Sequence, residues 1–314
     1  MGNLKLNKAV ILAGGLGTRF LPATLVLAKE LFPVTGKPAI MYHLENLQKA
    51  GIKEVMIVGN KLKEESIMSL ISPAEQYINQ VKAENKLSYL DEYYKLKNSF
   101  DNISYINQEV GSSIFNDKNG GDEYRKGSSI AILSCKDWAN GEPFLVINGD
   151  DFCVYPDKNL PNIEERVAKL YNATGDYVIV GKEMDRDVIY KYSSMVINKR
   201  LDIENSYKID SIIEKPPKGT EPSNIIGCSR YVYTGDIFDR ILNSKPRDNG
   251  EFCITDLINN VASEGRVSTY IFDGLYFDGG SKVGLQMAGN FMLLQDEQTR
   301  NQCIEEFEKL KSLF

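Results

Sequence analysis

The chain has almost no histidine and little cysteine. His43 is the one histidine among 314 residues. A histidine-based triad or a histidine-rich metal centre is therefore excluded unless His43 serves it. The helical pattern around His43 makes it a partly exposed helix residue in expectation. Five cysteines (Cys135, Cys153, Cys228, Cys253 and Cys303) are scattered, odd in number, and form no CxxC pair. That argues against a disulfide framework or structural zinc site and for a reducing cytosol. No apolar run reaches the ~18–20 residues that a membrane span needs. The opening MGNLKLNKAVIL lacks the apolar core of a signal peptide, because Asn and Lys interrupt it. Leu6 stands where a myristoylation pattern wants Ser or Thr. A cytoplasmic protein without membrane association is expected. Positive charge is also short: 37 Lys and Arg stand against 43 Asp and Glu, a net charge of −6. A broad basic face for nucleic acid is thereby disfavoured. An anionic substrate would need cations placed locally.

The remaining composition, 42% hydrophobic and 25% charged, is that of an ordinary globular chain. Lys8–Leu12 (KAVIL) reads as a buried strand, Pro38–Gly51 as a helix and Glu54–Val58 as the next strand. Residues 61–100 read as helices with a solvated face. Asn102–Asn107 is a third strand, Ser128–Trp138 a helix, and Phe144–Ile147 a buried strand. After Tyr155 the rhythm changes. Strand-like runs at Tyr177–Lys182, Met195–Asn198, Ser211–Glu214 and Ser229–Tyr233 follow with fewer helices between them. Helical patterns return at Asp256–Glu264 and Lys282–Leu294. The fold class is α/β: a Rossmann-like mixed, mainly parallel sheet flanked by helices, with a smaller strand-rich portion.

The first strand runs into LAGGLGTRFLPATLVLAKELFPV, Leu12 to Val34. Glycines after a strand let bare backbone N–H groups approach an anion. A dinucleotide fingerprint needs a further glycine where Phe20 stands, and an acid at the end of the second strand, which reads Val58-Gly59-Asn60. A P-loop needs Gly-Lys-Ser/Thr, and Gly17-Thr18-Arg19 does not supply it. A plain turn explains the glycines but not Arg19 and Lys29 set among prolines and apolar residues, where unpaired cations are costly. The loop reads as a phosphate cradle.

From Leu12 through Lys29-Glu30-Leu31-Phe32-Pro33 to Lys37-Pro38, these residues resemble the sugar-1-phosphate nucleotidyltransferases, most closely the bacterial-type UTP–glucose-1-phosphate uridylyltransferases. The resemblance extends from about Leu6 to about Leu294. It implies a single nucleotidyltransferase domain over 1–314, with a nucleotide-binding part (1–155), a sugar-phosphate-binding part (156–280) and a C-terminal helical segment (281–314). Ala13, Gly14, Gly15 and Gly17 would hold the nucleotide. Gln108 would read a pyrimidine, since one amide can donate to uracil O4 and accept from N3–H. In FLVINGDD (Phe144–Asp151), Asp150 would hold Mg²⁺, with Asp151 as the competing ligand. Asp278, in Asp278-Gly279-Gly280-Ser281-Lys282, would be the second metal ligand, with Gly280 beside the sugar and Ser281 capping the next helix. Ile213-Glu214-Lys215-Pro216 is similar to a motif in which Glu214 binds sugar hydroxyls and Lys215 the sugar phosphate; Asn224 and Ser193 join the sugar site. Thr255 or Asp256 would cap a helix.

The chain departs from the pattern at several places. Asn107 replaces an Arg before Gln108. Residues 111–126 intervene before a second glycine loop, Gly127-Ser128-Ser129-Ile130-Ala131, so that Gly127 is aligned and Gly111 is its rival. Leu25 stands for a Lys, Ala28 for a Pro and Ser193 for a Gly. The implied reaction is Mg²⁺-dependent transfer of UMP from UTP to glucose 1-phosphate by direct in-line attack, giving UDP-glucose and pyrophosphate. Arg19, Lys29 and Lys215 would be the catalytic cations. The alternatives are the same chemistry with another nucleotide or sugar, such as dTTP, or a non-catalytic nucleotide-sugar-binding homologue. A homo-oligomer, dimer or tetramer, is expected, with residues 61–100 and the C-terminal helix as contact surfaces.

Overall fold

A computed structural model describes residues 6–313; the Met1-Gly2 start lies outside them. The strands are β1 (Lys8–Leu12), β2 (Pro33–Val34), β3 (Lys37–Pro38), β4 (Glu54–Gly59), β5 (Asn102–Asn107), β6 (Phe144–Asn148), β7 (Asp151–Val154), β8 (Tyr177–Glu183), β9 (Ser193–Arg200), β10 (Ser206–Glu214), β11 (Ile225–Tyr233), β12 (Val267–Phe272) and β13 (Leu275–Asp278). Nine of them form one sheet in the order β5-β4-β1-β6-β11-β8-β12-β10-β9. One end is parallel: β5, β4, β1 and β6 run the same way. From β6 onward the sheet is mixed, with β11 antiparallel to both β6 and β8, β12 parallel to β8, and β10 antiparallel to β12 and β9. Seven of the nine strands thus run the same way and only β11 and β10 are reversed, so the sheet is mixed and mainly parallel.

The middles of β1, β4 and β6 are apolar on both faces because both faces are covered, whereas the edge strand β5 is part polar and only partly buried. Ala9 and Ile11 of β1, with Val55 and Ile57 of β4, pack on one side. Val10, Met56 and Val58 pack on the other, with Phe144 and Val146 of β6. The four parallel strands end together at Leu12, Gly59, Asn107 and Asn148. That carboxyl edge is where ligands gather in open α/β sheets.

Two helical expectations change. The Ser128–Trp138 pattern breaks into Ser128–Leu133 and Lys136–Ala139. At the break, Cys135 N–H reaches back three residues to Ile132 O at 3.0 Å and Ser134 Oγ donates to Ala131 O at 2.8 Å, which tightens the last turn. Conversely Glu109–Asn119 (EVGSSIFNDKN) is a helix that its polar, Gly- and Ser-containing sequence did not announce. Gly111 lets it pack closely: a Cβ there would stand 2.0 Å from Ile130 O.

His43 is not partly exposed; it is 1% exposed. Its Nδ1 accepts from Arg230 Nη2 at 3.4 Å and its Nε2–H donates to Gly149 O at 3.1 Å. Burial, and then the Arg230 charge, hold the imidazole pKa down to about 3, so the ring is neutral. Arg230 and Glu164 are fully buried partners, with Nε donating to Oε1 at 2.8 Å, and Arg230 Nη2 also donates to Asp151 O at 3.2 Å. This network braces the turn after β6 from behind. Removing one partner of such a pair strands the other charge. Glu164→Ala is expected to cost about 3–5 kcal/mol in urea denaturation at neutral pH; a loss below ~1 kcal/mol would show that Arg230 does not depend on this carboxylate.

Candidate active site

The glycine loop after β1 is pinned by the end of β4. Asn60 Nδ2 donates to Gly14 O at 2.8 Å. The buried Lys63 ammonium donates to Thr24 O, and Thr24 Oγ1 donates to Gly17 O at 2.9 Å. In place of an acid for a ribose, β4 therefore ends in two side chains that fix the loop's shape. Ala13 N–H goes to Val58 O at 2.7 Å, so Ala13 belongs to the strand side of the loop. Leu25 is 74% exposed on the loop's outer turn, and Ala28 is buried beneath it.

A cleft of about 330 Å³ opens at this edge, lined by Gly14, Gly15, Lys29, Gln108, Gly127 and Asp150, together with Glu30, Tyr124, Lys126 and Asn148. Gln108 lies against Gly14, where a Cβ would meet its Oε1 at 2.2 Å. Of the two rival glycines, Gly127 lines this cleft, whereas Gly111 is spent on helix packing.

At the cleft's inner end, charges converge. Lys29 binds Asp150, with Glu30 Oε1 at 3.1 Å on its other side. Arg19 Nη1 lies 3.3 Å from Asp278 Oδ2. Gly280 marks the meeting point: a Cβ there would lie 2.6 Å from both Arg19 Nη2 and Asp150 Oδ2, and 2.9 Å from Asp278 Oδ1. The antiparallel pair β7/β13 sets this up by placing Asp151 opposite Asp278. Asp151 itself turns inward and accepts from the Tyr276 hydroxyl at 3.0 Å. Burial, and then the Asp150 charge, raise its pKa to about 6. Burial works against the Lys29 ammonium, yet the Glu30 and Asp150 charges hold its pKa above the ordinary lysine value. Glu30 is 1% exposed, and burial pushes its carboxyl to about 7 despite the pull of Lys29. Its Oε2 has no hydrogen-bond partner among the described residues. Ser281 caps the following helix, accepting from Gly284 N–H at 3.0 Å.

The strand-rich half brings a second group to the same region. Glu214 of β10 stands opposite Ser193 of β9. Thr255 is not a helix cap: its hydroxyl donates to Glu214 Oε2 at 2.9 Å and fixes that carboxylate. Asp256 is not a cap either and instead pairs with Arg247, whose Nε donates to it at 2.7 Å. Lys215 adopts the left-handed backbone (φ 46°) that a non-glycine residue seldom takes, and its N–H donates to Tyr192 O at 3.0 Å. Burial, and then the Asp278 charge, raise the Tyr192 pKa, which ties this segment to the carboxylate cluster. Asn224 goes elsewhere. Its amide donates to Glu183 Oε1 at 2.7 Å, and it lines a separate surface depression with Lys182, Asp185 and Asp273.

Sequence reasoning missed Glu30, Asn60, Lys63, Tyr124 and Lys126. Glu30 was hidden inside a motif whose interest lay in Lys29. Asn60 and Lys63 carried a usable signal, being polar residues directly after a buried strand end.

A family model described as nucleotidyl transferase matches residues 8–293. The chain is 32% identical over 307 residues to the UTP–glucose-1-phosphate uridylyltransferase 2 of Staphylococcus saprophyticus, covering 98% of this chain and 99% of that one. It is 30% identical to the UTP–glucose-1-phosphate uridylyltransferase of Bacillus subtilis, covering 98% and 97%. A solved UDP-glucose pyrophosphorylase complexed with UDP-glucose superposes with a TM-score of 0.77 at 28% identity, covering 93% of this chain and 100% of that one. The UDP-glucose pyrophosphorylase of Acinetobacter baumannii shares the fold, with a TM-score of 0.82 at 24% identity over 97% and 99%.

Glu30 gives a pH test. Its folded pKa, about 7, lies above the ordinary 4.5, so the stability it contributes is fully present below pH ~4.5 and is lost as pH rises through 7. Glu30→Gln is expected to gain stability relative to the parent as pH rises from ~4.5 to above 7, read by thermal melts across pH. Parallel curves for the two proteins would show an ordinary Glu30 pKa.

Proposed function

This chain belongs to the nucleotidyl transferase family, and we propose that it transfers UMP from UTP to glucose 1-phosphate, giving UDP-glucose and pyrophosphate. The observation that carries the proposal is the convergence of Arg19, Lys29, Asp150 and Asp278 at Gly280, between the glycine-loop cleft and the Glu214 side. The names of the uridylyltransferase relatives support the choice of nucleotide and sugar.

The sugar phosphate is already a nucleophile at neutral pH, so no protein base is required, consistent with a neutral, buried His43. One of its oxygens attacks the α-phosphorus of UTP, and the bond to the β-phosphate breaks, releasing pyrophosphate. The protein's part is alignment and charge cancellation. Arg19 and Lys29 are paired with Asp278 and Asp150, and substrate phosphates would offer these cations stronger partners. Lys29 and Arg19 then neutralise charge that builds on pyrophosphate, Lys215 seats the sugar phosphate, and Glu214, fixed by Thr255, accepts from hexose hydroxyls.

The site fits Mg²⁺. The Asp150 and Asp278 carboxylates approach one point. No group of three or more His, Cys, Asp or Glu side chains able to hold a metal occurs among the described residues. Two carboxylates completed by phosphate oxygens and water are the donor set Mg²⁺ takes in nucleotide sites. Bound by Asp150 and Asp278, it would supply Lewis-acid neutralisation of the phosphates. The inward turn of Asp151 supports Asp150 as the ligand.

A second reading, the same transfer with another nucleotide such as dTTP, is favoured by Asn107 before Gln108 and by the segment at 111–126. A panel of nucleoside triphosphates and sugar 1-phosphates, assayed by pyrophosphate release, separates the two. UTP with glucose 1-phosphate is expected to give the highest kcat/KM, with CTP disfavoured on the order of 10²-fold because a wrong base leaves polar groups unpaired; a preference for dTTP would favour the second reading. Asp150→Ala is expected to abolish the activity's response to Mg²⁺. An unchanged Mg²⁺ response in that variant would move the metal to another carboxylate.

A further inference from the structure

Segment 120–126, between the Glu109–Asn119 helix and Gly127, carries an aromatic ring that the proposed chemistry does not use. Tyr124 is 57% exposed. It belongs to none of the hydrophobic clusters of the described residues. It lines the cleft with Gly14, Gly127 and Gln108, and its hydroxyl accepts from Gln108 Nε2 at 3.2 Å. An exposed ring on a loose loop would mean little, but this loop is tied on both sides of Tyr124. Asn116 Nδ2 donates to Glu123 O at 2.8 Å, and Arg125 N–H donates to Ser112 Oγ at 2.7 Å. Arg125 Nε also donates to Asn116 Oδ1 at 3.0 Å. The backbone that presents the ring is therefore fixed to the neighbouring helix.

We propose that Tyr124 is a nucleotide-base platform: its ring stacks on the pyrimidine, and its hydroxyl fixes the rotamer of the Gln108 amide that reads the base edge. This rests on the nucleotidyl-transfer reading of the same cleft. A Tyr ring offers any base a π-face, and such stacking is sequence-tolerant. Selectivity comes from the hydroxyl. With one Nε2–H engaged by Tyr124, Gln108 keeps one N–H for a C4 carbonyl and Oε1 for an N3–H, the pattern of uracil. Cytosine presents a donor and an acceptor in the reverse order and is refused by a fixed amide.

The experiment compares the parent chain with Tyr124→Ala and Tyr124→Phe. Stacking losses of the size seen when such rings are truncated correspond to about 5- to 150-fold in affinity. Tyr124→Ala is expected to weaken UTP binding in calorimetry by that factor. In the reverse reaction it should raise KM for UDP-glucose while leaving KM for pyrophosphate unchanged, and the melting temperature should stay at the parent value. Tyr124→Phe is expected to keep UTP affinity within a few-fold while losing discrimination against CTP. Unchanged UTP affinity in Tyr124→Ala overturns the platform, as does an equal rise in KM for UDP-glucose and pyrophosphate. Full CTP discrimination in Tyr124→Phe overturns the role of the hydroxyl. A parent chain that binds UTP but releases no pyrophosphate overturns the functional reading instead, and calorimetry still decides the role of Tyr124.

Discussion

Lys29 sits between two carboxylates, Glu30 on one side and Asp150 on the other. Much of the site depends on this arrangement. A buried ammonium is tolerable only when paired, and the pairing positions Lys29 in the cleft. It also ties the glycine loop, which carries Lys29, to the turn after β6, which carries Asp150. Arg19 and Asp278 repeat the device between the same loop and β13. The two pairs lash three separate chain segments around Gly280. A cluster whose cations and carboxylates pair with one another avoids the repulsion that bare cations or bare carboxylates would suffer at such separations.

Preorganisation continues behind the carboxylates. The turn at Gly149–Asp151 is gripped by His43 at Gly149 O and by Arg230 at Asp151 O, and Arg230 is held in turn by Glu164. A stack of the His43 ring on Phe152, with centroids 5.6 Å apart, completes the brace. The lone histidine is therefore a structural donor whose neutrality is required. A protonated ring could not accept from Arg230. The glycine loop has its own support in Asn60 and Lys63. Neither support reaches the cleft; each spends a buried polar side chain on a backbone carbonyl of a segment that does.

The α/β alternation, the strand ends and the charged loop were legible because they follow from periodicity and from residue types that are costly where they stand. Strands β1, β4, β5 and β6 lie where KAVIL, EVMIV, the 102–107 run and FLVI put them. The motif residues Lys29, Asp150, Asp278 and Gly280 were legible as spaced words, and they meet in space. What stayed hidden was tertiary. Nothing in a helical pattern distinguishes a buried His43 from an exposed one, since its partner Arg230 lies 187 residues away. The Glu109–Asn119 helix has weak propensity and exists because Gly111 admits a close packing partner. Thr255 reads as a cap until Glu214, 41 residues earlier, is found beside it. Asn224 sits in a matching motif, yet its amide is committed to Glu183.

The loss of a lysine at position 25 can be weighed against this frame. Leu25 stands 74% exposed on the outside of the loop. A long cation there would reach the cleft only by folding back across the loop. The cleft gains a different cation, Lys126, from the end of the segment that also presents Tyr124. Lys126 is anchored through its backbone, since Phe252 N–H donates to its carbonyl at 3.0 Å. Only the backbone of Lys126 is fixed: its side chain is exposed, and binding an anion would still cost it side-chain entropy. Residues 111–126 bear on the site at this end, where Tyr124, Lys126 and the following Gly127 line the cleft with Gln108.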